Sequence, residues 1–177
     1  RMDQAMRIIT CGPEHLESIR AIFNEAIVNS TAIYDYHPRS VETLREWFEA
    51  KQARGLPVIG VEDGDGVLMG FGSYGPFRAL PAYKYTVEHL VYVDARFRGL
   101  GLGRLLLEQV IQSAQARGFH MLVGVIDAEN ASSIALHERL GFKSGGGLRH
   151  AGFKFGRWLD LVFYQKLLPT PESPVDG

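Results

Sequence analysis

RGLGLGRLLL, residues 98–107, alternates glycine with other residues and then runs into a row of leucines. A glycine inside a helix costs about 1 kcal/mol relative to alanine, so a series of them calls for a geometric reason. Either the chain turns tightly with positive φ, or a ligand approaches the backbone closely. The flanks give the context. Upstream, TVEHLVYV (Thr86–Val93) is rich in β-branched residues and alternates only in part, as a strand buried on both faces does. Downstream, Leu102–Ala116 repeats apolar residues at helical spacing, with Leu105, Leu106, Val110, Ile111 and Ala114 on one face and Gly118 as the stop. The glycines therefore join a buried strand to a helix N-terminus, where free N–H groups and the helix dipole suit phosphate oxygens. Arg98 and Arg104 add positive charge at the same place. A glycine turn that only eases the chain into its helix is the structural alternative. Two better-known phosphate loops do not fit, because the loop holds no lysine and its spacing is GxGxG rather than GxGxxG.

The rest of the chain arranges strands and helices around that unit. Arg7–Thr10 reads as a short first strand. Pro13 marks a helix start, and PEHLESIRAIFNEAIV places Leu16, Ile19, Ile22, Phe23, Ala26 and Ile27 on one face. Thr31–Tyr36 is an irregular aromatic link, after which Ser40 caps a second helix that Gly55 ends. PVIGVE and VLMGFGSYG are strands separated by EDGDG, whose Asp-Gly pairs favour a hairpin. PFRALPAYK reads as a loop. FHMLVGVID is a further buried strand and ENASSIALHERLG a helix closed by Gly141. Phe142–Leu148 and Arg157–Leu167 form a closing pair of strands across a glycine-containing bend. The expected fold is mixed α/β, a central twisted mixed sheet with helices on both faces. Residues 7–168 make one domain without an internal repeat, and residues 169–177, PTPESPVDG, a loose polar tail.

Composition narrows the function classes. Hydrophobic residues at 46% and charged ones at 22% describe an ordinary globular chain. A formal net charge of -1, from 19 basic and 20 acidic residues, gives no reason to expect a nucleic-acid partner. The one cysteine, Cys11, excludes an internal disulfide framework and a multi-cysteine zinc site, and no metal is expected. No apolar run nears the roughly 18 residues of a membrane span, so no membrane partner is expected. RMDQAMRIIT has no apolar signal core, which makes the cytoplasm the expected location.

Two motifs carry a family likeness. Arg98, Gly101 and Gly103 fit R/Q-x-x-G-x-G/A, and NASSIALHERLGF (Asn130–Phe142) follows N-x-x-[AS]-x-x-x-Y-x-x-x-G-F with His137 at the tyrosine place. In these motifs and in the order of its elements the chain resembles the GCN5-related N-acetyltransferase (GNAT) family, with its acyl-CoA N-acyltransferase fold. TAIYDY, REWFEA, GSYGPFR, YTVEHLVYV and KFGRWLDLVFYQ make it similar to the branch that acetylates phosphinothricin, methionine sulfone and methionine sulfoximine. The likeness runs from Met6 to Leu167. It implies acetyl-CoA as cosubstrate, with Gly99, Leu100, Gly101, Leu102, Gly103 and Arg104 beside Arg98 at its pyrophosphate. The backbone of Val91, Tyr92 and Val93 would meet pantetheine, and Asn130 with Ser133 would lie near the thioester end. In that family the strand before the loop splays from its neighbour at a bulge. An unpaired strand edge is a natural partner for a long amide-bearing ligand.

Glu88 is the odd residue in TVEHLVYV. A carboxylate is almost never buried without a partner, so it faces a cleft, water or a cation such as Lys84 or Arg157. The resemblance implies a general base for the acceptor amine, acting directly or through water. His89 alternates to the other sheet face, so the two share a cleft only if a bulge intervenes. His137 stands where the phosphinothricin branch also has histidine, which implies donation to the departing thiolate of coenzyme A. A satisfied histidine on the helix face is the structural alternative. The N–H of Val91 or Tyr92 is the implied oxyanion donor.

A small amino acid presents a carboxylate, which suits the two-pronged geometry of arginine. GSYGPFRALPAYKYT supplies Arg78 and Lys84 among Tyr74, Phe77, Tyr83 and Tyr85, and the resembled branch has basic residues at the matching places. Ile33 and Tyr34 fall where that branch lines its acceptor pocket. It often carries tryptophan at the positions of Tyr34 and Phe77. FKFGRWLDLVFYQK, with Trp158, Phe163 and Tyr164, is apolar enough for core or for a second subunit, and the branch is usually a homodimer. The expected function is acetyl transfer from acetyl-CoA to the α-amine of a small amino-acid-like acceptor such as phosphinothricin, methionine sulfone or methionine sulfoximine. The alternatives are another amine (a polyamine, an antibiotic or a protein N-terminus) and a non-catalytic acyl-CoA-binding sensor.

Overall fold

A computed structural model describes residues 5–177; the reading of the opening segment falls partly on residues 1–4, outside the described residues. In chain order the elements are β1 (Arg7–Thr10), α1 (Leu16–Asn29), α2 (Val41–Ala53), β2 (Val58–Glu62), β3 (Leu68–Pro76) and β4 (Thr86–Val93). Then come α3 (Leu102–Ala116), β5 (Met121–Asp127), α4 (Ala131–Arg139), β6 (Lys143–Lys154) and β7 (Arg157–Leu167). The strands make one sheet in the order β1-β2-β3-β4-β5-β7-β6. Every neighbouring pair is antiparallel except β4 and β5, the two strands that α3 connects. The expected mixed sheet with helices on both faces is what forms.

Alternation along the strands divides the core in two. On one face Ile19, Phe23, Leu44 and Phe48 of α1 and α2 meet Val58, Leu68 and Phe71. On the other, Leu102, Leu106, Leu107, Val110 and Ala114 of α3 meet Val61, Met69, Val87 and Leu122. The buried face of α3 is rotated from the expected one, since Leu105 and Ile111 are only partly buried at its flanks. Ser40 caps α2 as expected, its hydroxyl oxygen accepting from the Thr43 N–H at 3.1 Å.

The closing hairpin departs from expectation. β6 runs on past Leu148 to Lys154, with register shifts between Ser144 and Gly147 and between Leu148 and Gly152. The turn is Phe155-Gly156, both residues at positive φ (53° and 76°), with Lys154 paired to Arg157. A two-residue hairpin of this kind normally advertises itself as Asn-Gly or Asp-Gly, and phenylalanine hides it.

β6 also ties down the link between α1 and α2. Lys154 is only 3% exposed, and its ammonium donates to the carbonyls of Ile27, Ser30 and Ile33 at 2.6, 2.7 and 2.8 Å. The first of these belongs to the last turn of α1, which has no intrahelical donor for it. Beyond β7, His120 Nδ1 stands 2.8 Å from the Thr170 carbonyl and the Val175 N–H donates to the Tyr85 hydroxyl at 3.1 Å. Replacing Lys154 with methionine keeps the chain length but strands the carbonyls. At 1–3 kcal/mol for a buried polar group that loses its partner, Lys154→Met should lower unfolding free energy by about 2–4 kcal/mol in urea titration.

Candidate active site

The site begins where one ladder stops. β4 pairs with β3 without a register break from Pro76↔Val87 to Gly70↔Val93. On its other side it pairs with β5 only at Thr86↔Met121, Val87↔Leu122 and Glu88↔Val123. β5 meanwhile keeps its partner β7 through Asp127. The sheet therefore splits after Glu88 into two diverging halves. The expected splay is present and the expected bulge is not. A cavity of about 800 Å³ fills the opening, walled by Glu88–Val93 on one side and Gly124–Asp127 on the other.

The opening also explains how Glu88 and His89 share one cavity. Leu90 and Tyr92 pack with the α1/α2 core, while Val91 and Val93 pack with the α3 core, so Glu88 and His89 point to opposite faces. Both nevertheless line the cavity, because the departing strand removes the wall between the faces.

At the far end lies the N-terminus of α3. Gly99 and the N-cap Gly101 sit at φ of 84° and 79° with no neighbour within 4 Å of where a Cβ would stand. Glycine is needed there for its dihedral rather than for space. The first N–H groups of the helix have no intrahelical acceptor. Gly99, Gly101, Leu102 and Gly103 line the cavity with Arg98; Leu100 and Arg104 do not. Arg98 pairs with Glu25 at 3.0 Å and Arg104 with Glu108 at 3.2 Å. Asn130 and Ser133 line the opposite wall. Asn130 Oδ1 caps α4, accepting from the Ser133 N–H at 3.2 Å and the Ser132 hydroxyl at 3.1 Å, which leaves its amide N–H groups for a ligand.

Two buried histidines fill the vertex. His137 Nδ1 lies 2.8 Å from the Ser133 carbonyl, which only accepts, so in the neutral ring that nitrogen carries the proton. Its Nε2 then accepts from His89 Nε2 at 2.9 Å, a tautomer assigned from the network. This leaves His89 Nδ1 as a buried acceptor without a partner. Burial, then the neighbouring His137, pushes His89 down to about 3, and burial likewise lowers His137. Both rings are therefore neutral near pH 7, and Phe142 packs against each. Gly124 of β5 faces them, and a Cβ there would stand 2.9 Å from His89 Nε2 and 3.0 Å from His137 Nε2.

Glu88 has neither of the cations expected of it. Arg157 pairs with Glu129 at 2.6 Å, and Lys84 sits over the Tyr85 ring. The nearby cation is Lys51 of α2, which the sequence did not single out. Its ammonium donates to the Tyr74 carbonyl at 2.7 Å and lines the cavity with Glu88. Desolvation raises the Glu88 carboxyl above its ordinary range and Lys51 pulls it back. Desolvation, then Arg54, lowers Lys51 to about 8, against the pull of Glu88.

The acceptor residues expected from sequence lie around the cavity rather than in its wall. Arg78 and Lys84 are exposed on the β3–β4 link, with Phe77 packed edge-on to Tyr83. Tyr74 is wholly buried, its hydroxyl 2.7 Å from Ser113. The α1–α2 link reaches the cavity through Ser30 and Ala32, not Ile33 or Tyr34. The Tyr34 hydroxyl instead lies 3.1 Å from Asp127 Oδ1 and 3.0 Å from the Asp160 carbonyl. Among the described residues no group of three or more His, Cys, Asp or Glu is placed to hold a metal ion, and no helix is long and apolar enough to cross a membrane.

Residues 16–142 match the acetyltransferase (GNAT) family. The chain belongs to that family. It is 43% identical over 164 residues to an L-methionine sulfoximine/L-methionine sulfone acetyltransferase of Pseudomonas paraeruginosa, covering 92% of this chain and 95% of the relative. An N-acetyltransferase structure from Staphylococcus aureus superposes with a TM-score of 0.90 at 44% identity, covering 92% of this chain and 98% of that one. A phosphinothricin acetyltransferase from Sinorhizobium meliloti, solved in complex with acetyl-CoA, gives 0.90 at 32% identity over 97% of this chain and 92% of its own. The protein is thus an acetyltransferase enzyme.

Gly124 gives the direct test of the vertex. Gly124→Ala drives a methyl into two rigid buried rings, an overpacking that costs about 1–3 kcal/mol. The variant should show that loss in urea titration together with reduced acetyl transfer, measured as thiol release from acetyl-CoA.

Proposed function

We propose that the enzyme moves acetyl from acetyl-CoA to the α-amine of a small amino-acid-like acceptor, with methionine sulfone, methionine sulfoximine and phosphinothricin as first candidates. One observation carries the reading: the sheet opens at Glu88 and ends, at its far side, on the free N–H groups of α3. A long ligand with phosphates at one end and a run of amides along its arm fits that shape. The glycine turn at Gly99–Gly103 suits the phosphates, and the freed edge of β4 at Val91–Val93 suits the amides. Asn130 and Ser133 flank the same arm. The relatives named above for methionine sulfoximine and phosphinothricin, one of them bound to acetyl-CoA, support both halves of the proposal.

The thioester supplies an activated acyl group, and the chain's residues do the rest. An α-ammonium has no free lone pair, so Glu88 takes its proton, directly or through water. The N–H of Val91 or Tyr92 donates to the carbonyl oxygen as charge builds on it. His137 is a neutral imidazole, because burial disfavours its charged form, and in the assigned tautomer its Nδ1–H goes to the Ser133 carbonyl while its Nε2 accepts from His89, so it has no proton for the thiolate that the resemblance implied. As the amine adds and the C–S bond breaks, coenzyme A leaves as thiolate and takes up, directly or through water, the proton that Glu88 accepted. Arg78 and Lys84, on the link that follows the cavity residue Pro76, serve the acceptor carboxylate. Phe77, Ile33 and Tyr34 shape the region around its side chain. In this reading the enzyme works in the cytoplasm as a homodimer, a second copy covering the exposed Phe153 and Trp158 of β6 and β7.

Thiol release from acetyl-CoA, followed over amino acids, methionine sulfone, methionine sulfoximine, phosphinothricin and polyamines, tests the acceptor class. Turnover confined to the amino-acid-like compounds is expected. Preference for polyamines would move the enzyme to another acceptor class, and bound coenzyme with no turnover across the panel would make it a sensor. A second measurement addresses the base. Glu88→Gln keeps shape and hydrogen bonding, and kcat should fall about 10²–10⁴-fold with acetyl-CoA affinity little changed. The parent should lose activity as pH falls through the raised pKa of Glu88, whereas the variant's deficit shrinks as rising pH delivers neutral amine. Near-parental kcat at pH 7 with saturating acceptor would remove Glu88 from the role.

A further inference from the structure

The cavity wall holds a group that the reading above does not use. Gly75 of β3 is the register partner of Glu88 on β4. Side chains directly opposite in an antiparallel pair share a face, with Cβ atoms about 4.5–5.5 Å apart. Gly75 has no side chain, and the place is taken from outside the sheet: a Cβ on Gly75 would lie 3.2 Å from the ammonium of Lys51. That ammonium is fixed by the Tyr74 carbonyl at 2.7 Å and lies 5.6 Å from the centre of the Trp47 ring. A helix residue thus occupies a cross-strand position beside Glu88.

We propose that Lys51 is a positioning residue for the proton-accepting step, its ammonium standing in the gap left by Gly75 to hold the Glu88 carboxyl in its ionised form. The proposal rests on the reading of Glu88 as base. The reasoning is electrostatic. A carboxyl partly withdrawn from water drifts toward its neutral form, and a neutral carboxyl takes no proton from an ammonium. A nearby opposite charge opposes that drift, and Lys51 is the charge that does so here. The other ionisable groups around the pair are few. Arg54 on α2 repels Lys51, and Tyr92, on the same face of β4 as Glu88, has Arg39 beside it. The place is open to a side chain from α2 because Gly75 has none of its own. At pH below about 8 Lys51 is charged, which covers the range in which Glu88 needs a counter-charge.

The test reads the carboxyl and the reaction separately. In protein labelled with ¹³C at glutamate Cδ, the Glu88 resonance is identified by its loss in Glu88→Gln and titrated in the parent, Lys51→Met and Lys51→Arg. Removing the ammonium leaves desolvation unopposed, so the Lys51→Met midpoint should rise by about one pH unit or more, and Lys51→Arg should stay near the parent. The acid limb of kcat/KM should move to higher pH in Lys51→Met by the same amount and return in Lys51→Arg. Acetyl-CoA affinity should not change. An unmoved carboxyl midpoint in folded Lys51→Met overturns the proposal. A raised midpoint with an unmoved acid limb upholds the Lys51–Glu88 coupling and overturns instead the reading of Glu88 as base. Should Lys51→Met not fold, Gly75→Val displaces the ammonium from the other side, with the same expected shift and the same overturning result.

Discussion

Two strands that pair over three residues and then part are the constraint on which the rest of this structure depends. Backbone N–H and C=O groups demand partners, and a strand that leaves its neighbour exposes a row of them inside the protein. Here the β3 side of β4 stays fully paired, so the loss falls entirely on the edge that faces β5. Something must separate the strands at the vertex, and the side chains there do so. His89 and His137 stand over Gly124, where even a methyl group would collide with them. Neutral imidazoles suit the task, because they pack against Phe142 like apolar rings and still satisfy one another and the Ser133 carbonyl. The unpartnered Nδ1 of His89 is the cost of that arrangement.

The same divergence removes the barrier between the two faces of the sheet. In an intact sheet Glu88 and His89, neighbours in sequence, would serve separate compartments. With β5 gone from their side, the carboxyl on the α1/α2 face and the imidazole on the α3/α4 face open onto one space. Electrostatics follows the same division. Lys51 and Glu88 lie on one face, and the histidine rings at the vertex on the other are kept neutral by burial.

Sequence reading recovered what depends on local pattern. β4, α3 and β7 fall on the expected residues because period and glycine stops mark them, and the glycine turn declares a helix N-terminus. It failed where the determinant is a missing atom or a distant residue. Lys51 sits in a helix whose other polar residues are ordinary surface, and nothing local says that it reaches a strand. Only the register of Gly75 against Glu88 shows why its ammonium matters. The Phe155-Gly156 turn was invisible because phenylalanine at positive φ is not a turn signal. Arg78 and Lys84 stand exposed on the β3–β4 link, and what they meet depends on the acceptor rather than on any local pattern.

The width of the opening is set from both ends. At the vertex the histidine pair props it apart. Across the mouth, the α1–α2 link spans from one half of the sheet to the other: Thr31 donates to Asp127, and the Tyr34 hydroxyl lies between Asp127 and the Asp160 carbonyl. Lys154 of β6 holds the same link through three carbonyls, and Tyr34 rests on Gly152, where a Cβ would come within 2.5 Å of its ring. The outer strands β6 and β7 therefore do more than finish the sheet. They fasten the α1/α2 side to the β5 side. An exposed loop could not do this, since its surface ion pairs are worth at most about 1 kcal/mol each. A buried ammonium and a buried carboxylate can, because breaking either leaves polar groups without their partners.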